Sequence, residues 1–433
     1  LTDSVEGSVA VAAADPSHVD PRATHRAIEA VWRMESGRLI AGLTRMVGDV
    51  GLAEELAQDA LVIALEQWPT DGVPDGPGAW LMATAKHRAI DQIRRRQNYD
   101  RKLQEVGRWI EDAEPDPGDA VAEKLDDPVG DDLLRLIFMA CHPTLSTEAR
   151  VALTLRLLGG LSTDEIARAF LVPESTVAQR IVRAKRTIAS ATFELPPSAE
   201  LQARLASVLE VVYLIFNEGY AATAGADWTR PALCQDALRL GRILAGLMPD
   251  QPEVYGLVAL MELQASRLAA RLGPDGEPVL LADQDRRRWD RLLIRRGLAA
   301  LHNAERLGAL GPYCLQASIA AVHAQAPSIA DTDWVRIADL YTVLVHVWPS
   351  PVAELNRAVA VGRAHGPAAG LAIVDSLASE AALKDYALLP AVRADLLAEL
   401  GRSDEARAEF ERAASMTRND RERALFQARA AQR

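Results

Sequence analysis

The residues best suited to chemistry in this 433-residue chain are hydrogen-bond donors on one short helix: Ser175, Thr176, Gln179, Arg180, Arg183 and Arg186. They lie in LSTDEIARAFLVPESTVAQRIVRAKRTI, residues 161–188. Hydroxyls and amides at a helix tip reach base edges, and arginine binds guanine through two hydrogen bonds or anchors a phosphate. A solvated basic face on an ordinary helical hairpin would carry similar residues. The framework favours DNA. Ser162 stands three residues before Glu165, a capping-box spacing for a helix over 163–170 with Ile166, Ala167 and Phe170 inward. Leu171-Val172-Pro173 ends it, and Ser175 or Thr176 caps the next helix. There Val177, Ile181, Ala184 and Ile188 form the buried stripe and leave the donors outside. The whole predicts a helix-turn-helix.

The elements that must hold this unit belong to an acidic chain, with 48 Lys and Arg against 60 Asp and Glu. Basic surface is therefore local, which excludes a general polyanion binder. Abundant Ala and Leu with few aromatic or β-branched runs favour helix. Cys141, Cys234 and Cys314 are isolated, so no zinc site or disulfide framework is expected, and a reduced cytoplasm fits. No apolar run suits a membrane span. The eight His are scattered, with no phosphate loop, nucleophile elbow or HExxH, and Cys141-His142 reads as structural. No enzyme, metal or cofactor is expected.

Residues 1–25 read as a disordered tail. From Arg26, Ile28, Val31, Trp32, Leu39, Ile40 and Leu43 share one helical face. LAEELAQDALVIALEQW is a second amphipathic helix, with Glu55, Gln58 and Asp59 opposite Leu56, Ile63 and Leu65. After a Gly/Pro loop, AWLMATAKHRAIDQIRRRQ is a third, buried through Leu81, Ala85, Ile90 and Ile93. Residues 98–130 read as an acidic, breaker-rich linker.

Three motifs in order carry a resemblance. AEELAQDALVIALEQW (53–68) resembles the core-polymerase-binding helix of bacterial σ factors, and PGAWLMATAKHRAIDQIRRRQ (77–97) resembles the helix after it. The helix-turn-helix resembles the −35-reading unit of the same family. Order and spacing fit the extracytoplasmic-function type, with σ2 and σ4 domains alone. The resemblance implies that Glu55, Gln58 and Asp59 dock on the β′ clamp helices of core polymerase, with further contact to the β subunit. It implies that Lys86, His87, Arg88, Arg94, Arg95 and Arg96 track the non-template single strand at the −10 element. It implies −35 double-stranded DNA for Ser175, Thr176, Gln179, Arg180, Arg183 and Arg186, and a cytoplasmic, nucleoid-associated protein. Trp80 reads as core rather than a base-stacking face.

Residues beyond 193 exceed a minimal σ factor. LLPAVRADLLAELGRSDEARAEFERAASM sets Ala394, Ala406, Phe410 and Ala413 near tetratricopeptide offsets, with Gly401 in the turn. Ala358, Gly370 and Val374 mark a weaker copy. Two stretches fit repeats poorly: FNEGYAATAG (216–225) and LLADQDRRRWDRLLIRRG (280–297). In the second, Asp283, Asp285, Arg286, Trp289 and Asp290 read either as a capped, salt-bridged helix start or as a regulatory docking site. Both stretches resemble segments of a σ-factor group with a tetratricopeptide-like extension, for which a small DGPF/YCII-like protein is the implied partner and no membrane anti-σ factor is expected.

The expected fold is all-α: tail 1–25, σ2 domain 26–97, acidic linker 98–130, σ4 domain 131–192, and an α-solenoid over 193–433. The expected function is an alternative σ factor controlled in cis by its extension. The competing reading is a helix-turn-helix activator with a solenoid sensor. Under the first reading, Arg180→Ala or Arg183→Ala lowers promoter affinity by about 1–3 kcal/mol in a binding titration, the value of a bidentate base contact.

Overall fold

Helices form where the apolar periodicity places them, and their ends follow the local chemistry. The structure, a computed structural model, describes residues 21–105, 129–308 and 311–431, with side chains described except at 21–22, 96–105 and 129–130. It is mostly α-helical and divides into two compact units, Leu1–Leu136 and Ile137–Arg433.

In the first unit, α1 (Pro21–Val47), α2 (Val50–Asp71) and α3 (Pro77–Glu105) pack pairwise on one another. Ile28, Leu39, Ile40 and Leu43 of α1, Leu56, Ala60 and Trp68 of α2, and Leu81, Ala85 and Ala89 of α3 are buried. Gly48 turns the chain at φ +72°, and the Asp49 carboxylate then caps α2 by accepting from the Leu52 amide at 2.8 Å. Trp80 is half-buried and packs edge-on against Trp68, 5.3 Å between ring centroids.

Three details differ from the periodicity reading. The first is the start of α1, which lies at Pro21, ahead of Arg26. Proline suits a first helical turn because its missing amide has no partner there in any case. The second is Leu65, which is exposed rather than inward. It stands nine residues after Leu56, half a turn off the buried stripe. The third is α3, which continues past Gln97 through NYDRKLQE, a stretch without Gly or Pro. The rest of the expected linker, 106–128, and the expected tail 1–20 lie outside the described residues.

The second unit starts within α4 (Val129–Ala140) and continues with α5 (Thr147–Leu157), α6 (Thr163–Phe170) and α7 (Glu174–Ile188). Then come α8 (Ser198–Tyr220), α9 (Pro231–Leu247), α10 (Pro252–Ala265), α11 (Arg291–Arg306), α12 (Pro312–Gln325) and α13 (Trp334–Val347). The series closes with α14 (Pro351–His365), α15 (Pro367–Ser376), α16 (Leu388–Glu399), α17 (Ser403–Met416) and α18 (Asp420–Ala431). Proline opens α9, α10, α12, α14 and α15, a repeated stop-and-restart signal. From α8 onward, helices pack mainly on their neighbours in sequence, the habit of a solenoid.

Ala394, Ala406, Phe410 and Ala413 are fully buried, and Gly401 turns α16 into α17 at φ +76°. Among the described residues the single sheet is a parallel pairing of Ala224-Gly225 (β1) with Arg418-Asn419 (β2). The buried Asn419 amide donates to Ala222 O at 3.0 Å and Asp227 O at 2.8 Å, which ties the loop after α8 to the far end of the chain. All three cysteines are buried thiols, and burial pushes Cys141 up to about 11 and Cys234 up to about 12.

Gly370 of α15 lies against α14 so closely that an added Cβ would sit 2.6 Å from Ala358 O and 2.9 Å from the Gly362 Cα. Gly370→Ala is expected to lower stability by about 1–3 kcal/mol through overpacking. The shift of the urea midpoint of the full chain measures it.

Candidate nucleic-acid interface

The helix-turn-helix is built as its capping pattern requires. Ser162 Oγ accepts from the Glu165 amide at 3.1 Å, and the Glu165 carboxylate accepts from the Ser162 amide at 2.8 Å. This reciprocal box satisfies donors that a helix start leaves open. At the other end Leu171 adopts the left-handed conformation, φ 50° and ψ 44°. It is the only non-glycine residue with positive φ among those described. That geometry costs a branched side chain about 1–2 kcal/mol, so the surroundings must hold it. Val177, Ile181, Ala184 and Ile188 are buried as expected.

On the outer side of α7, Ser175, Gln179, Arg183 and Arg186 are exposed, and Thr176 is half-buried. Arg180 departs from this row. It is half-buried and, with Glu148 and Asn217, lines a cleft of about 210 Å³ between α5, α7 and α8. Glu148 is held below the usual carboxylate range, first by its own backbone amide and Ser146, then by the charge of Arg180. Arg180 thus stands one position from the buried Ile181, on the flank of the helix facing α8.

The opposite side of the helix-turn-helix is braced by residues that patterning did not single out. Arginines from α8, α9 and the loop between them donate to carbonyls at three helix C-termini. Arg204 reaches Phe138 O at 2.9 Å, near the end of α4. Arg239 reaches Leu158 O at 3.0 Å, just past α5. Arg230 reaches Ala169 O at 2.5 Å, in the last turn of α6. Each cation meets carbonyls without intrahelical partners, at the negative end of a helix dipole. Ser207 adds a bond to Cys141 O at 3.0 Å, and Arg150 of α5 bonds Ser207 and Glu210 in return. Arg230 is itself paired with the buried Glu218, whose carboxylate also accepts from the Thr223 hydroxyl at 2.9 Å. Leu171 lies against Gly225, where a Cβ would come within 2.6 Å of Leu171 Cδ1. The one available signal was FNEGYAATAG, which contains Glu218 and Gly225 and fitted no repeat.

In the first unit, Glu55 and Asp59 are exposed and Gln58 is half-buried, donating to Glu54 at 2.6 Å. Asp59 pairs with Arg88 at 2.6 Å, so a residue of the expected polymerase face bonds one of the expected −10 track. Both are about half exposed, and such pairs contribute at most about 1 kcal/mol. Both remain available to partners. His87, Arg94 and Arg95 are exposed, Lys86 is half-buried, and the side chain of Arg96 lies outside the described residues.

The stretch before α11 divides. Asp283, Asp285 and Asp290 face outward, whereas Arg286 and Trp289 are buried. Asp290 caps α11 by accepting from Leu292 and Leu293, and Asp285 accepts from Arg287. Arg286 donates to His323 O and Ala326 O at 2.6 Å each. No group of three or more His, Cys, Asp or Glu among the described residues is arranged to hold a metal. None of the described helices is long and apolar enough to cross a membrane.

With this geometry in place, comparisons with known proteins divide the chain in the same order. The family description "Sigma-70 region 2" matches residues 32–99, and "Sigma-70, region 4" matches 135–188, the stretch that holds the helix-turn-helix. A family of unknown function, DUF6596, matches 204–305, which includes Arg204, Glu218, Arg230 and Arg239. An uncharacterized protein of Rhizobium meliloti (strain 1021) is 43% identical over 392 residues, 89% of this chain and 91% of that protein. The chain belongs to the same family as that Rhizobium protein. Its front part is that of an extracytoplasmic-function-type, sigma-factor-like protein, followed by a large solenoid-like helical region. The probable ECF RNA polymerase sigma factor SigI of Mycobacterium tuberculosis is 30% identical over 167 residues, 38% of this chain and 55% of that protein. RNA polymerase sigma-H factor of Pseudomonas aeruginosa is 29% identical over 174 residues, 39% of this chain and 86% of that protein. No solved structure matches the chain. The sigma-factor-like front part belongs with a non-enzymatic family.

Glu218→Gln removes the charge partner of a largely buried arginine and is expected to destabilise the second unit by about 3 kcal/mol. It should also loosen the turn at Leu171. Chemical unfolding of the full chain measures the first effect. Loss of affinity for promoter DNA, with α7 unchanged in sequence, measures the second.

Proposed function

We propose that the chain is an alternative σ factor that binds core RNA polymerase and directs promoter-specific initiation, with control exerted in cis by its C-terminal region. The observation that carries this reading is the two-sided use of the helix-turn-helix. Ser175, Gln179, Arg183 and Arg186 face solvent, while the opposite side is capped by arginines of the following region. A −35 reader needs the first side free, and control in cis needs contact at the second.

In this reading Arg183 and Arg186 supply base and phosphate contacts, with Ser175, Thr176 and Gln179 at the tip and Arg180 toward the α8 flank. Glu55, Gln58 and Asp59 meet the β′ clamp helices, where acidic and amide groups find basic partners. Lys86, His87, Arg88, Arg94, Arg95 and Arg96 guide the non-template strand. We assign the boundaries 26–97 and 131–192 to σ2 and σ4, and the hairpins after 193 to the tetratricopeptide class. A small DGPF/YCII-like protein and nucleoid association belong to the same proposal.

The test is run-off transcription with purified bacterial core polymerase and the full-length chain, on its own upstream DNA and on a randomised promoter library. The full chain is required, since a cut after residue 193 would strip the arginine caps. Initiation that depends on the chain, lost in Asp59→Lys and weakened by about tenfold or more in Arg183→Ala, supports the reading. Sequence-specific DNA binding without initiation on any template would favour an activator instead.

A further inference from the structure

Inside the helical region, α8, α10, α12, α13 and the segment before α11 enclose a cavity of about 260 Å³. Arg267 is the one charged side chain in its lining, and Arg271 and Arg286 stand against the lining rings Tyr220 and Trp289. The Arg267 guanidinium lies 5.8 Å from the Tyr220 ring and 5.7 Å from the Trp289 ring, and bonds the Tyr220 hydroxyl and the Gln264 amide oxygen. Arg271 stacks on Tyr220 at 3.8 Å, and Arg286 lies 4.8 Å from Trp289. Among the described residues none of these three arginines has a carboxylate within ion-pair distance. Burial pushes Arg271 and Arg286 below the usual guanidinium range, and the charge of Arg267 pushes both in the same direction. Asp331 acts on Arg286 only from beyond ion-pair distance, and clustered, partly desolvated cations with no carboxylate in contact are relieved by an entering anion.

The walls limit the shape of that anion. Phe216, Tyr220, Trp289 and Tyr341 give flat aromatic sides, which favour a planar ring. The volume lies just below the roughly 300–1,000 Å³ of common ligand pockets, room for one ring rather than a nucleotide. Two wall residues also carry buried ring nitrogens with no hydrogen-bond partner, Trp289 Nε1 and His323 Nδ1. Trp289 is 3% exposed, which shields its N–H from bulk solvent. His323 is pushed down to about 4, first by burial and then by Arg267 and Arg286. It is therefore neutral near pH 7, with Nδ1 a donor or an acceptor according to its tautomer.

We propose that this cavity binds a small aromatic carboxylate, its ring between the aromatic walls and its carboxylate on Arg267. The assignment concerns binding alone and stands apart from promoter activity. The experiment uses the full chain, isothermal titration and tryptophan fluorescence. The probes are benzoate, 4-hydroxybenzoate, nicotinate and indole-3-acetate, with inorganic phosphate and cyclohexanecarboxylate as controls. At least one aromatic carboxylate should bind at one site per chain and perturb the fluorescence, and both controls should bind more weakly. Arg267→Gln should weaken that binding by about tenfold or more, as loss of a charge-assisted bond requires. Ala320→Leu, which narrows the cavity without touching its charge, should weaken it comparably. Circular dichroism establishes that each variant is folded, and either folded variant suffices for the comparison. Absence of binding by all four probes overturns the proposal. So does binding that a folded Arg267→Gln or Ala320→Leu variant leaves unchanged, or binding of phosphate as tight as that of the aromatic carboxylates.

Discussion

The arrangement of the second unit depends on arginine caps at helix C-termini. A helix of eight residues such as α6 has few internal hydrogen bonds and ends on carbonyls that need donors from elsewhere. Arg204, Arg239 and Arg230 supply them for α4, α5 and α6 in turn, and all three lie in the region that follows the helix-turn-helix. The helix-turn-helix and the first helices of the solenoid-like region therefore form one packed object. The left-handed Leu171 is held in place because Arg230, Glu218 and Gly225 surround the turn where the strain lies.

The brace has a cost that the sequence offsets locally. Placing Arg230 beside the turn requires removing a cation from water, and Glu218 with its Thr223 bond compensates it. The loop carrying Arg230 is pinned in turn by Asn419, from the opposite end of the chain, through β1 and β2. The last helices are thus linked, through Asn419 and the backbone of its loop, to Arg230, which caps α6 two residues before Leu171. Such a chain transmits control only if a ligand or partner favours one arrangement over another. The last turn of α8 touches both places. Glu218 faces the brace, while Asn217 and Tyr220 line the cavity beside Arg267.

Much of this was legible in the sequence, for physical reasons that differ by element. The capping box at Ser162 and Glu165 and the stripe from Val177 to Ile188 follow from local spacing, and both form as read. The paired positions Ala394, Ala406, Phe410 and Ala413 were visible because a repeat states its own packing. Leu65 was misplaced because a long apolar run hides which residues share a face. The arginine caps were invisible, since Arg204, Arg230 and Arg239 meet carbonyls tens of residues away and no local pattern marks a long-range donor. Arg180 stood in a row with Arg183 by spacing, and the cleft that α5 and α8 form with α7 separates them. Asp283, Asp285, Arg286, Trp289 and Asp290 read as one cluster, and no local spacing separates the buried Arg286 and Trp289 from their exposed charged neighbours.

The arginine caps require the helix-turn-helix and the region after it to unfold together. Native-state hydrogen exchange of the full chain across a denaturant series tests this most directly, with the amides of Ile181 and Ala184 in α7 compared with those of Val211 and Val212 in α8. All four are expected to exchange through one opening, with the same free energy and the same denaturant dependence. Exchange in α7 through a separate opening of much lower free energy, with α8 still protected, would contradict it.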